Sequence, residues 1–574
     1  MSEKLHPGKE PADSAAWRRW GLLVLAIPLL LILGICIAVV LPELTRSDTP
    51  HTRVSVLVAE LERAEADDWL SDLLRKFFPG YGKDRSRYDV ASDLTALGVE
   101  AVPELIMTTG HNLSSVRYAA ASALGRIGDR RAVEPLADLL TRDPDLDVRK
   151  EAVSALGEVG GPEATACLIK AMADPDPKVR GNVASALGQV GGPEATARLI
   201  EAMTDGEPEV RRSVASALGE VGGPQATARL IAAIADSKPD VRKAVAEALG
   251  EIGDTAAIDV LLRALGEQED TVRAAAAEAI GKVGHLPSLP RLIELLKDPA
   301  KDLRTAAATG LGEMGDPAAV EPLLVAMTDA ESDVRGAAAE ALGHIGDPRA
   351  VPALVTALGD GGSGVKAKAA ESLGLISDPR ATDALATALR DKGSDVRFWA
   401  AVSLSSSSSP GSVEALLSAA DDKEDYVRVV AAFALALRKR PEAVPPLAAV
   451  ITGKSDWEAF AAVVGLGLVD TPEAREALAA GADKAVSPAV RRLAARALQM
   501  PIVEAMAKEL REEDRELHFY ICRAFVYLRD PASLPALEEA INNPKSSVRN
   551  AARHAIRHIR RASPPRAPNA PAQE

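Results

Sequence analysis

Basic residues return at an almost unvarying interval through the middle of this chain. Arg117, Arg149, Arg180, Arg211, Arg242, Arg273, Arg304 and Arg335 are separated first by 32 and then always by 31 residues. Each follows Val or Leu, and the register continues through Lys366, Arg397 and Arg428. Weaker copies centre on Arg87 at the front and on Glu458, Arg491, His518 and Arg549 at the back, which gives about sixteen units between Asp84 and Ile559. A period of this length marks a repeated supersecondary unit rather than the several globular domains that 574 residues would otherwise suggest.

The stretch Asp333 to Asp360 shows what one copy can fold into. Val334, Ala338, Ala341, Leu342 and Ile345 recur at helical spacing and make a single apolar stripe. Gly346 ends that helix. Asp347 as N-cap and Pro348 as first helical residue start a second one, which presents Val351, Leu354, Val355 and Leu358. Neither helix can bury its stripe alone, so pairs must stack on neighbouring pairs. Aromatic residues make up only 3% of the chain, so a core of Ala and Leu on closely approaching helices is expected, and an all-α class.

Two further columns share the period. An acidic residue stands six positions before the basic one at Asp143, Asp174, Asp205, Asp236, Glu267, Asp298, Asp329, Asp360, Asp391 and Asp422. Glycine stands eight after it at Gly125, Gly157, Gly188, Gly219, Gly250, Gly281, Gly312, Gly343 and Gly374, and the repeat glycines read as helix ends. The pattern DVRxxAAxALGxIGDPxAVxxLxxxL resembles the HEAT-like repeats of phycobilisome lyases over about four fifths of the chain. That resemblance implies a right-handed superhelical α-solenoid of two-helix repeats. It also implies a structural ladder of inter-repeat hydrogen bonds between the two columns, at Asp143, Arg149, Asp174, Arg180, Asp205, Arg211, Asp236, Arg242, Asp298, Arg304, Asp329 and Arg335, with Asp329 and Arg335 read as one rung.

Outside the repeats, Gly21 to Leu41 carries no charge and matches the length needed to cross about 30 Å of hydrocarbon. Lys4, Lys9, Arg18 and Arg19 precede it, against Arg46 and Arg53 after it, and Trp17 and Trp20 sit at its start. This reads as an uncleaved single-pass anchor with a cytoplasmic N-terminus and a periplasmic or extracytoplasmic solenoid, since the run exceeds a signal-peptide core and no small-x-small site follows. The expected order is a tail at 1–20, a transmembrane helix at 21–41, a linker and helical cap at 42–83, repeats at 84–561 and a disordered Pro-rich tail at 562–574.

Signs of chemistry are few. The net charge of −15 excludes a generic nucleic-acid binder. Cys36, Cys167 and Cys522 form neither a disulfide framework nor a zinc spacing. The resemblance raises two enzyme readings, a bilin lyase and deoxyhypusine hydroxylase, but no His-Glu dipeptide of the kind that holds the hydroxylase's irons occurs, and nothing marks a chromophore pocket. No phosphate-cradling loop is present. His554 and His558 are spaced i, i+4 without a further ligand nearby, so no metal and no cofactor is expected. Arg549, Arg553, Arg557 and Arg561 form a basic stripe that reads as a polar terminal cap or as a contact for an anionic partner.

The remaining reading is a non-catalytic scaffold for a protein or peptide. In similar stacks one helix of each pair lines the concave face, and here that is the helix that bears the Val-Arg pair. Five and nine residues after the basic position, Glu158, Glu220, Glu247, Glu251, Glu278, Glu313, Glu340 and Glu371 make an acidic ridge. No aromatic residue lies between Tyr118 and Phe398, and Phe398 and Trp399 then stand where other copies have small residues, as interface anchors do. Sixteen layers about 8 to 10 Å apart predict a curved rod with a path on the order of 130 to 160 Å. Small-angle scattering should give an elongated particle, and a radius ordinary for the mass would refute the stack.

Overall fold

The computed structural model describes residues 87–541 apart from positions 406, 408, 454, 513–516 and 529, together with scattered positions at 53–58 and 543–559. Among the described residues every element is helical. Two compact units are present, Met1–Asp174 and Pro175–Glu574. Each alternates a long helix with a short one. In the first unit the long helices include Ser114–Ile127 and Leu146–Val159. In the second they begin at Pro177–Val190 and continue as Pro208–Val221, Pro239–Ile252, Asp270–Val283, Lys301–Met314, Ser332–Ile345 and Ser363–Ile376.

The expectation of a single-pass membrane protein is corrected. No helix among the described residues is long and apolar enough to cross a membrane. The long repeat helices have 14 residues, about 21 Å at 1.5 Å per residue, and each carries a charged face. The segment 21–41 on which that expectation rested lies outside the described residues, as do 1–20 and 562–574.

Within a repeat the local chemistry follows the residues. Ser332–Ile345 buries Val334, Ala338, Ala341 and Leu342 and ends at Gly346, whose φ of 74° is left-handed and whose N–H donates to the Leu342 carbonyl. The Asp347 carboxylate accepts from Arg349 N–H and opens a single 3-10 turn, Pro348–Ala350, before the helix Val351–Ala357. The second helix is therefore shorter than the spacing suggested. Where Gly-Gly replaces Gly-Asp, as at Gly191 and Gly192, the 3-10 turn is absent and Pro193–Ala202 begins directly.

The glycine column has a different role from the one expected. Gly188 is inside Pro177–Val190, not at its end, and a Cβ there would lie 2.9 Å from the Ala217 Cβ of the next long helix and 3.0 Å from its Cα. At Gly281 a Cβ would run into the backbone of Gly310. The column lets consecutive long helices touch backbone to backbone, which only Gly against Ala, Gly or Ser permits.

The ladder also differs in its pairing. Arg335 does not pair with the Asp329 side chain. Its Nε and Nη2 donate to the two oxygens of Asp360, in the next repeat, at 2.8 and 2.9 Å, while Nη1 donates to the Asp329 backbone carbonyl at 2.8 Å. The same forward fork joins Arg117 to Asp143, Arg180 to Asp205, Arg211 to Asp236, Arg304 to Asp329 and Arg397 to Asp422. Arg242 and Arg273 each reach Glu267 and Asp298 by one bond, Arg149 sits 3.8 Å from Asp174, and Lys366 replaces arginine opposite Asp391. The rung carboxylates of Asp143, Asp205, Asp236, Asp298, Asp329, Asp391 and Asp422 also accept a backbone N–H two residues on, as Asp360 does from Gly362. A helical side chain leans toward its own N-terminus, so the guanidinium lands at the turn where both acceptors are available.

Arg211→Ala leaves the largely buried Asp236 carboxylate and the Asp205 carbonyl without their donors and should lower stability by about 1 to 3 kcal/mol. The Arg211 hydrogen bonds hold the Asp236 carboxyl below the usual carboxylate range, as Arg304 and Arg335 do for Asp329 and Asp360. A depressed carboxylate stabilises fully above its unfolded pKa of about 3.9 and loses that contribution as pH falls through the folded value, so denaturant midpoints should drop below about pH 4, and less steeply in Arg211→Ala. Gly188→Ala should destabilise by about 1 to 3 kcal/mol through overpacking, whereas Gly336→Ala, with nothing within 4 Å of its new Cβ, should stabilise by about 0.5 to 1 kcal/mol. Equal effects of the two alanines in chemical denaturation would refute the close-approach account.

Candidate partner-binding face

The long helices present one run of side chains that neither the core stripe nor the ladder uses. Of the ridge glutamates, Glu158 belongs to the first unit and is exposed; in the second unit Glu220, Glu247, Glu251 and Glu313 are exposed, and Glu278, Glu340 and Glu371 are half-buried. The structure adds lysines that the spacing did not reveal. Lys368 Nζ lies 2.7 Å from Glu340 and 3.4 Å from Glu371, Lys282 pairs with Glu251, and Lys243 stands 3.7 Å from Glu247. The ridge is thus a mixed surface with acidic excess. Burial pushes the Glu278 carboxyl up, with the charges of Glu247 and Glu313 adding to the shift and Lys282 and Lys243 opposing it.

Farther along the second unit the same face changes character. Phe398 and Trp399 are half-buried on Ser394–Leu404 and open into a cavity of about 370 Å³. Val430 and Phe433 from Asp425–Ala436, Trp457 and Phe460 from Asp456–Val469, and Phe519, Tyr520 and Arg523 from His518–Leu528 line the rest. Phe398 meets Trp399 edge-on with ring centroids 5.3 Å apart, and Phe460 and Tyr520 lie 6.0 Å apart. The exposed Arg523 places its guanidinium carbon 5.8 Å from the Phe519 ring centre. Phe398 and Trp399 stood out in the sequence; Phe433, Trp457, Phe460, Phe519, Tyr520 and Arg523 did not. Their signal was the crowding of aromatics after position 398, which reads equally well as gap filling.

Ser185, Ser216 and Glu247 line a polar hollow of about 260 Å³ nearer the start of this unit. No group of three or more His, Cys, Asp or Glu residues placed to hold a metal occurs among the described residues. Cys167 is partly exposed and Cys522 buried, the latter with its thiol pushed up to about 12 by burial. Of the C-terminal basic stripe only Arg553 falls among the described residues; Arg549, Arg557, Arg561, His554 and His558 lie outside them.

A family model described as HEAT repeats matches residues 83–155, 133–207, 196–281, 289–373, 363–429 and 413–499. The chain belongs to the HEAT-repeat family. A model described as PBS lyase HEAT-like repeat matches residues 272–298 of this HEAT-repeat protein. No curated protein matches the chain. Among solved structures, yeast importin-beta (Kap95p) is similar at 14% identity over 89% of this chain and 81% of its own, with a TM-score of 0.46. An importin beta crystallised in ammonium sulfate shares 12% identity over 96% of this chain and 98% of its own, at 0.44. Human deoxyhypusine hydroxylase shares 23% over 48% of this chain and 96% of its own, at 0.21. These are likenesses of fold alone.

Proposed function

We propose that this HEAT-repeat protein is a non-catalytic scaffold that binds a protein or peptide partner along the face of its long helices, the concave face of the stack. One observation carries the reading: the half-buried aromatics at Phe398, Trp399 and Trp457 surround an open hollow in a protein whose described core is built mostly of Ala, Leu and Val. Aromatic groups left partly uncovered beside a cavity are what interface anchors require, because a partner side chain entering the hollow removes water from several rings together. The ridge glutamates would steer a cationic stretch of the partner toward that anchor and raise the rate of encounter more than the final affinity.

The test is capture with the purified full chain, comparing wild type, Phe398→Ala with Trp399→Ala, and Val325→Ser. Val325 is exposed on a short helix, away from the proposed face. Proteins held by the wild type should fall by about tenfold or more in the aromatic double variant, corresponding to at least about 1.4 kcal/mol, and be retained by Val325→Ser. Equal capture by all three, or a stoichiometric metal or chromophore in the wild-type chain, would overturn the scaffold reading.

A further inference from the structure

The column five residues after the basic position changes chemistry along the second unit. From Arg335 onward it carries Glu340 and Glu371, then Val402 and Phe433 at the hollow, then the buried Val463, Arg496 and, in the copy centred on His518, Arg523. We infer that the hollow takes one bulky apolar side chain of a peptide segment that has carboxylates next to that side chain, on the Arg523 side, and basic residues several positions away, toward Glu371 and Glu340. This rests on the scaffold reading and specifies the chemistry of its partner.

Three observations support it. The cavity of about 370 Å³ is of the size that encloses a large side chain, and its walls are aromatic on several sides. Arg523 is the one charged residue lining it, is exposed, and pairs with no carboxylate among the described residues; its contact there is the Phe519 ring. A guanidinium stacked on an aromatic keeps its fork free for a carboxylate. Arg496, the other arginine in this column, is already tied to Glu509 and Glu512. On the other side of the hollow, Lys368 is shared by Glu340 and Glu371, so the two acids keep a net negative charge. Those glutamates sit one and two layers before Val402. At about 10 Å per layer and about 3.3 Å per extended residue, the complementary basic residues fall about three to six positions from the apolar anchor.

The probe is fluorescein-labelled Lys-Lys-Gly-Ser-Gly-Trp-Asp-Asp, blocked at its far end, and the same residues in reverse order, titrated by anisotropy against the full chain. One of the two directions should bind, with about tenfold loss when Trp is replaced by Ala. Arg523→Gln should weaken that peptide by about fivefold and leave its Asn-for-Asp counterpart unchanged, which a packing role for Arg523 would not do. Glu340→Gln with Glu371→Gln should weaken it and lessen its salt dependence. Equal binding of the Ala peptide, or an equal effect of Arg523→Gln on the Asp and Asn peptides, overturns the inference. Peptide binding of the expected pattern alongside partner capture indifferent to Phe398→Ala with Trp399→Ala would instead sink the scaffold reading and leave the chemistry of the hollow standing.

Discussion

The carboxylate that begins each repeat binds two things. Asp236 accepts both arms of the Arg211 guanidinium from the repeat before it and, through Oδ1, the backbone N–H of Lys238 in its own turn. Arg211 in turn donates its remaining nitrogen to the Asp205 carbonyl at the start of its own repeat. The turn conformation of one repeat and its spacing from the next are therefore fixed by the same few atoms. Such charge-assisted forks are strong because they are largely sheltered, and they leave no buried oxygen of the turn without a donor. Stacking then follows: helices held at a fixed register can bring Gly188 against Ala217, and the apolar stripes close into one core.

How much of this is legible before folding differs from residue to residue. The Asp and Arg columns are visible because the period repeats them, and the capping Asp347 and the αL Gly346 because each acts within a few residues of itself. The partner of Arg335 was not. Asp329 lies six positions away and Asp360 twenty-five, and only the tertiary arrangement shows that the near residue offers its carbonyl and the far one its carboxylate. Gly188 was misread for a similar reason. Its neighbour Ala217 belongs to another repeat, so a packing glycine and a terminating glycine look alike along the chain, and in one copy both kinds occur three residues apart.

The aromatic hollow arises where this regularity gives out. Gly374, against Ser403, is the last of the column to meet a small residue of the next long helix. In the following copy the equivalent position is Ser405, the helix Ser394–Leu404 stops at 11 residues, and the long helices beyond it meet along less of their length. Arg438 from the next repeat closes the gap at the turn by donating to the carbonyls of Leu404 and Ser407. The break at Ser405 is thus bridged. With backbones no longer in contact, rings fill the walls between layers, and they do not fill all of it.

Because the copies share one scaffold, each position can be compared with its equivalents under nearly constant geometry. From Arg180 through the copy centred on Lys366, positions that stacking needs stay within narrow limits: Val or Leu before the basic residue, Gly at the close approach, Asp or Glu at the rung. The position five after the basic residue does not. In the second unit it is Ser185 and Ser216, then Glu247 and Glu278, then Thr309, then Glu340 and Glu371, then Val402, Phe433 and Val463, and finally Arg496 and Arg523. A helix interior accepts all of these at differences of a few tenths of a kcal/mol, so neither propensity nor packing dictates the sequence of changes. Apart from the buried Val463, the residues that vary lie on the face that the core and the ladder leave open, and the passage from acidic at Glu340 and Glu371 to apolar at Val402 and Phe433 to basic at Arg496 and Arg523 is a property of that surface. A scaffold whose repeats differ chiefly there distinguishes one stretch of a bound chain from another, which a uniform stack cannot do.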